Sequence, residues 1–256
     1  MRGVLIDLDG VVWESDQVVA GAPEVIDWLH SAGIPHLFVT NTTSRPRRLI
    51  AAKLAQLGMD VAAEQILTPP IAATTWLDQN TRGPAVLVVP DATREDFVSV
   101  ASVDLERAAD VAAVVVGDIG DAWTYPLLNS IFRLLLGQPA PQLIALGMTR
   151  YWRAEDGLRL DVAPFIKALE HAAGCKAIVL GKPSPVFFSI ALNIIGCAAA
   201  DAIMIGDDID TDVKGAQAAG LKGLLVKTGK FRQQDLDGTT RPDAILESVA
   251  GLPGWY

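Results

Sequence analysis

The chain reads as an α/β protein, a doubly wound parallel sheet into which a second α/β domain is inserted. Short, continuous, β-rich apolar runs recur along it, and each ends in polar or small residues. Helical patterns lie between these runs, the alternation expected of a wound parallel sheet. One long stretch, residues 81–176, repeats the strand rhythm with no acidic cluster at its strand ends comparable to those outside it.

Taken in order, Gly3-Val4-Leu5-Ile6 is the first run and ends at Asp7-Leu8-Asp9-Gly10. His36-Leu37-Phe38-Val39 ends at Thr40-Asn41-Thr42-Thr43. Ser44-Arg45-Pro46 then opens a helix whose Leu49, Ile50, Lys53, Leu54 and Leu57 follow at helical spacing, and Gly58 stops it. Within the middle stretch, Val86–Val89, Ala113–Val116 and Leu143–Leu146 are strand candidates, with a helical pattern from Leu127 through Leu136 before the third. Ala177–Leu180 ends at Gly181-Lys182-Pro183. Pro185 opens a helix that carries Phe187, Phe188, Ala191, Leu192 and Ile195 on one face and closes at Gly196. Ala202–Ile205 ends at Gly206-Asp207-Asp208, and Leu224–Val226 ends at Lys227-Thr228-Gly229. Apolar runs without alternation are strands buried on both faces, hence parallel. The expected division is a core of residues 1–80 and 177–256 and an insert of residues 81–176. Ligands of such sheets sit outside the carboxyl ends of the strands, so the residues ending the outer runs should converge.

Composition narrows the function. With 256 residues, half of them hydrophobic and a fifth charged, the chain can bury a large core and is not disordered. Asp plus Glu outnumber Lys plus Arg by 30 to 21, a net charge of −9, which argues against a nucleic-acid partner. Mean hydropathy is +0.31, yet no apolar run approaches the ~18 residues a membrane helix needs. Nothing resembles a signal peptide, so the expected location is cytoplasmic, with no membrane partner. Cys175 and Cys197 form no disulfide framework, and with His30, His36 and His171 they form no zinc set.

The run ends carry the chemistry. Asp7 and Asp9 are like charges two residues apart behind a buried strand, which calls for a cation between them or a raised pKa. The alternative is a pair of solvated turn residues with Gly10 making the turn. Asp207, Asp208, Asp210 and Asp212 follow another buried strand. Their spacing fails as a calcium hand at Val213 and Ala219, and Mg²⁺ suits them better. Asp at a helix N-terminus is the plainer account of Asp210 and extends to Asp208. Lys182 is not a phosphate-loop lysine, because Lys176 and Pro183 stand where that loop needs Gly and Ser or Thr. Thr40 and Asn41 alone would be a turn and cap. Together, acidic clusters, a hydroxyl-bearing turn and a lysine at the ends of strands of one sheet suit a divalent metal and a phosphoryl group.

In this set the chain resembles the haloacid dehalogenase-like phosphatase superfamily. Asp7-Leu8-Asp9-Gly10-Val11 looks like its first motif, Thr40-Asn41 its second, Lys182 its third, and Gly206-Asp207-Asp208 with Asp212 its fourth. The insert, with Gly21-Ala22-Pro23 and Phe38-Val39-Thr40-Asn41, resembles subfamily IIA and its C2 cap on a Rossmann-like core. Tyr151-Trp152, Leu160-Asp161-Val162-Ala163-Pro164 and Thr228-Gly229-Lys230-Phe231-Arg232 narrow the likeness to one branch, whose animal members tend to carry Ser where this chain has Asp9. The resemblance implies a phosphatase for a phosphomonoester, a phosphoramidate such as phospholysine or phosphohistidine, or pyrophosphate. It implies Asp7 as nucleophile and Asp9 as acid/base. It implies Mg²⁺ held by Asp7, the Asp9 carbonyl and Asp207. Thr40, Asn41 and Lys182 would bind phosphate, with Asp208 and Asp212 behind them. Trp123 and Tyr125 are candidates for substrate choice by the cap, with packing the alternative for Trp123. Analogy with relatives implies a homo-oligomer through the cap. The rival reading is a non-catalytic phosphate-binding or regulatory protein on the same fold. Loss of Asp7 or Asp9 would mark it, and both are present.

Overall fold

The structure, a computed structural model, describes residues 3–154 and 156–256. It divides into two compact units, one comprising the residues up to Thr40 with Arg47–Leu67 and Lys182–Tyr256, the other Asn41–Pro46 and Thr68–Gly181.

The first unit opens with β1 (Gly3–Asp7), a small hairpin of β2 (Trp13–Glu14) and β3 (Gln17–Val18), α1 (Ala22–Ser31), β4 (His36–Val39), α2 (Arg47–Gln56) and β5 (Ile66–Leu67). The second unit runs through α3 (Pro69–Asn80), β6 (Ala85–Val88), β7 (Ala113–Val116), α4 (Tyr125–Leu135), β8 (Gln142–Ala145), β9 (Tyr151–Ala154), β10 (Gly157–Leu160), α5 (Val162–Ala173) and β11 (Ile178–Val179). The chain returns to the first with α6 (Pro185–Ile195), β12 (Ala202–Gly206), α7 (Gly215–Ala218), β13 (Lys222–Val226), β14 (Ala244–Leu246) and α8 (Leu252–Trp255).

The first unit's sheet has the order β14-β13-β12-β1-β4-β5, and every pairing in it is parallel. From β1 the chain winds outward one way through β4 to β5, and later the other way from β12 through β13 to β14. The direction reverses between β1 and β12, the kind of switch point at which wound sheets open a crevice. Asp7 ends β1, and Asp207 directly follows β12. Val4, Leu5, Ile6, Ile203, Met204 and Ile205 are essentially inaccessible to solvent. Each such side chain contributes roughly 1.5–3 kcal/mol of burial free energy, so both aspartates stand at the ends of fully buried strands. α6 starts at Pro185 and ends with Gly196 in the left-handed conformation, as its sequence signals require.

The second unit carries a parallel sheet in the order β11-β8-β7-β6. Val86, Val88, Val114, Val116, Leu143 and Ala145 pack one of its faces against Ile131 and Leu135 of α4 and Ile166 and Leu169 of α5. Here the structure corrects one expectation. The run before Lys182 does not join the sheet that holds Asp7. As β11 it pairs with β8, Ile178 opposite Ile144 and Val179 opposite Ala145. Its apolar residues specify burial but not the partner strand. α3 is capped by Thr68, whose Oγ1 accepts the Ile71 N–H at 3.4 Å, and groups with the second unit. Among the described residues no helix is long and apolar enough to cross a membrane.

Candidate active site

Four charged side chains of the first unit meet at the switch point. Asp7, Lys182, Asp207 and Asp212 are all buried. The Lys182 ammonium lies 2.7 Å from Asp7 Oδ1 and 2.7 Å from Asp212 Oδ1. Asp7 Oδ1 also accepts the Leu8 backbone N–H at 2.8 Å, so the nucleophile candidate is tied through one oxygen and Oδ2 is left for other chemistry. Asp212 Oδ2 accepts the Asp208 N–H at 3.2 Å, which holds Asp212 as the clamp on Lys182. Asp208 is itself a cap: its Oδ1 accepts the N–H groups of Asp210 and Thr211, each at 3.0 Å, at the start of a wide π-type turn over Ile209–Lys214.

Asp207 is held by the loop of Thr228, Gly229 and Lys230, to which the sequence alone assigns no role at the site. The Lys230 N–H donates to Asp207 Oδ2 at 2.7 Å, the Thr228 hydroxyl donates to the Gly10 carbonyl, and the Gly229 N–H donates to Glu14 Oε1. Gly10 (φ 80°) and Gly229 (φ 66°) adopt left-handed backbone, and a Cβ on either would overlap Asp207 Oδ2. Only glycine lets the two loops close on that carboxylate. Backbone N–H donors carry no residue-type signal. The glycines were the available clue.

The electrostatics are unbalanced. Burial pushes the Asp7 carboxyl well above the usual range; Lys182 opposes the shift, while Asp212 and Asp207 add to it. Burial pushes Asp207 up to about 6, against the pull of the Lys230 N–H and ammonium. For Lys182, burial favours the neutral amine, but Asp212 and Asp7 outweigh it and hold the ammonium above the ordinary lysine range. The Asp7, Asp207 and Asp212 carboxylates place ligand oxygens within 4.8 Å of one another, and one buried ammonium cannot balance them. Asp207 Oδ1 is buried without a hydrogen-bond partner. Hard oxygen donors, excess negative charge and an orphaned carboxylate oxygen fit a divalent cation such as Mg²⁺.

The remaining expected residues lie as follows. Thr40 is buried one residue beyond Val39, which stands opposite Asp7 in the β1–β4 register, so both occupy the same sheet edge. Asn41 groups with the second unit. Asp9 is exposed, and its Oδ1 accepts the Trp13 indole N–H at 2.8 Å. In the second unit Tyr125 is 77% exposed at the start of α4. Trp123 is half-buried and stacks on Phe165, ring centroids 4.2 Å apart.

A wound parallel core whose switch point gathers aspartates around a buried lysine has the donors to hold a divalent cation and a phosphoryl group. The chain belongs to the haloacid dehalogenase-like hydrolase family: a family model of that description matches residues 4–102, and one described as HAD-hydrolase-like matches residues 179–252. It is 39% identical over 239 residues to phospholysine phosphohistidine inorganic pyrophosphate phosphatase of Homo sapiens, covering 92% of this chain and 86% of that one. It is 41% identical over 243 residues to haloacid dehalogenase-like hydrolase domain-containing protein 2 of Rattus norvegicus, covering 94% and 90%. The p-nitrophenyl phosphatase of Archaeoglobus fulgidus superposes with a TM-score of 0.88 at 27% identity, covering 100% of this chain and 99% of that one. This chain is accordingly a phosphatase of the family.

Proposed function

We propose that the protein is a Mg²⁺-dependent phosphatase that hydrolyses a small phosphorylated substrate in two steps through an aspartyl-phosphate on Asp7. The observation that carries this reading is the pairing of Asp7 Oδ1 with Lys182, which leaves Oδ2 for attack, in a cluster where Asp7, Asp207 and Asp212 each bring a ligand oxygen within 4.8 Å of the others and Asp207 Oδ1 has no hydrogen-bond partner. Asp7, Asp207 and the Asp9 carbonyl would hold the cation. When bound, Mg²⁺ supplies charge screening that lets one anion be attacked by another.

In the first step Asp7 Oδ2 forms a bond to phosphorus while the bond to the leaving oxygen breaks, and Asp9 gives that oxygen a proton. In the second, water forms the new bond to phosphorus, the bond to Asp7 breaks, and Asp9 takes the water's proton. Lys182 and Thr40 hold phosphoryl oxygens on which charge spreads. Phosphomonoesters, phosphoramidates and pyrophosphate all present a terminal phosphoryl group to these residues. A filled acid/base position at Asp9 favours substrates whose leaving oxygen needs a proton. Hydrolysis of p-nitrophenyl phosphate should require Mg²⁺ and stop in EDTA; full activity in chelator would end the metal role.

The raised Asp207 gives a second test. An unfolded Asp titrates near ~3.9, so between there and about 6 the metal-free native state holds the extra proton. Its stability then falls as pH rises through that window. A cation that binds only the native state restores stability, most where Asp207 is ionised. Replacing EDTA by Mg²⁺ should therefore raise Tm more near neutral pH than near about pH 5, and Asp207→Asn should flatten the difference. An equal rise at both pH values would remove Asp207 from the ligand set.

The core residues bind only phosphate, so the inserted unit is assigned the choice of leaving group. Tyr125→Ala should change KM and the ranking of substrates while BeF₃⁻, a mimic of the phosphoryl group on Asp7, still binds. Loss of BeF₃⁻ binding in a folded variant would show that the insert takes part in the chemistry.

A further inference from the structure

We infer that Trp13 is the positioning residue for Asp9, and that α2 secures it through Lys53; this rests on the reading of Asp9 as acid/base. Asp9 is exposed, and a short exposed carboxylate otherwise samples several rotamers. The Trp13 indole removes that freedom by donating to Asp9 Oδ1 at 2.8 Å. With Oδ1 occupied as an acceptor, the transferable proton is assigned to Oδ2. Trp13 itself is 5% exposed, so the donor is fixed by packing.

The indole is held from its other side. Lys53 Nζ of α2 lies 4.7 Å from the Trp13 ring centroid, a cation–π distance. A cation on the ring face draws electron density from it and makes the N–H a stronger donor. The same ammonium donates to the Ser15 carbonyl at 2.6 Å and pairs with Asp16 Oδ1 at 3.2 Å. Ser15 sits in the turn between β2 and β3 at φ 54°, a left-handed conformation that a non-glycine residue keeps only when something compensates it. Lys53 supplies that compensation. A continuous set of contacts thus runs from a helix of the first unit, through the turn and the indole, to the acid/base. Core packing alone accounts for the burial of Trp13, which belongs to the main hydrophobic cluster. It does not account for an indole N–H aimed at Asp9 or for a lysine engaged with both ring and turn.

The test is leaving-group dependence. Trp13→Phe keeps the ring and removes the N–H. The ratio of kcat/KM for p-nitrophenyl phosphate, whose leaving group needs little protonation, to kcat/KM for a simple alkyl phosphate should rise about tenfold, the scale of one hydrogen bond to a charged group; kcat/KM reads the first step alone, because the second, in which Asp9 takes the water's proton, is common to both substrates. Lys53→Met, which leaves the indole in place, should move this ratio the same way by less. Equal losses on both substrates, no loss, or a faster alkyl phosphate reaction would overturn the inference; the last would mean that the indole parks Asp9 away from the substrate. If Trp13→Phe does not fold, Lys53→Met decides alone, and an unchanged ratio there overturns the inference. Asp9→Asn separates the two claims. If it raises no ratio, the acid/base reading fails; if it raises the ratio and Trp13→Phe does not, only the positioning role fails.

Discussion

Asp7→Asn should lower turnover by at least about 10³-fold on every substrate, because an amide neither attacks phosphorus usefully nor ligates a hard cation well. The loss should come without loss of fold. In the metal-free protein Asp7 is a buried carboxylate pushed well above its usual range, beside the equally buried Asp207 and Asp212. The neutral isostere removes one of the charges that Lys182 cannot balance, and Asp212 still holds Lys182 at 2.7 Å. Tm in EDTA should therefore stay level or rise, the usual relation between a functional site and stability. A folded variant that keeps wild-type kcat would show that Asp7 is not the nucleophile. A variant that unfolds would show that Asp7 holds the core together instead of burdening it.

Lys182→Met should have the largest effect on stability. It deletes the ammonium shared by Asp7 and Asp212 and leaves both carboxylates buried without it. Removing one partner of a buried ion pair costs about 3–5 kcal/mol. The sign with pH is defined. In the wild type Lys182 titrates above the ordinary lysine range, so its contribution is fully present at all pH values below that of an unfolded lysine. In the variant Asp7, pushed above its usual range by burial and now without the ammonium that opposed the shift, takes up a proton more readily than in the unfolded chain. The deficit should shrink as pH falls and grow as pH rises through the raised folded value of Asp7. Denaturant unfolding of both proteins, in mild acid and in mild base, measures this. A deficit below about 1 kcal/mol, or one independent of pH, would mean that the two ion pairs contribute no more than a surface pair.

How much of this was legible depended on what a residue's type can encode. β1, β4, β12 and β13 announced themselves because strands buried on both faces must be continuously apolar, and Asp7 and Asp207 stood out as charges placed directly after them. β11 was equally visible as a strand, but Ile178 and Val179 would pack as well in either sheet, and pairing with β8 is a tertiary choice. The β9–β10 hairpin escaped notice because Tyr151, Trp152, Leu158 and Leu160 are exposed and interleaved with Arg153 and Arg159, which blurs any strand pattern. Lys182 reaches the site without ending a core strand: it enters the first unit just before α6 and is captured there by Asp7 and Asp212. The backbone donor of Lys230 and the indole donor of Trp13 were invisible for a different reason. A main-chain N–H has no residue identity, and a Trp four residues after an Asp is ordinarily core.

The central claim is that phosphorus changes partners twice, first to Asp7 and then to water. Each in-line displacement inverts the configuration at phosphorus, so their number can be read from stereochemistry. A p-nitrophenyl phosphorothioate made chiral by one heavy oxygen isotope, hydrolysed in water carrying a different one, yields thiophosphate whose handedness reports the count. Two displacements predict net retention of configuration. Net inversion would mean that water attacks the substrate directly, and would contradict an aspartyl-phosphate on Asp7.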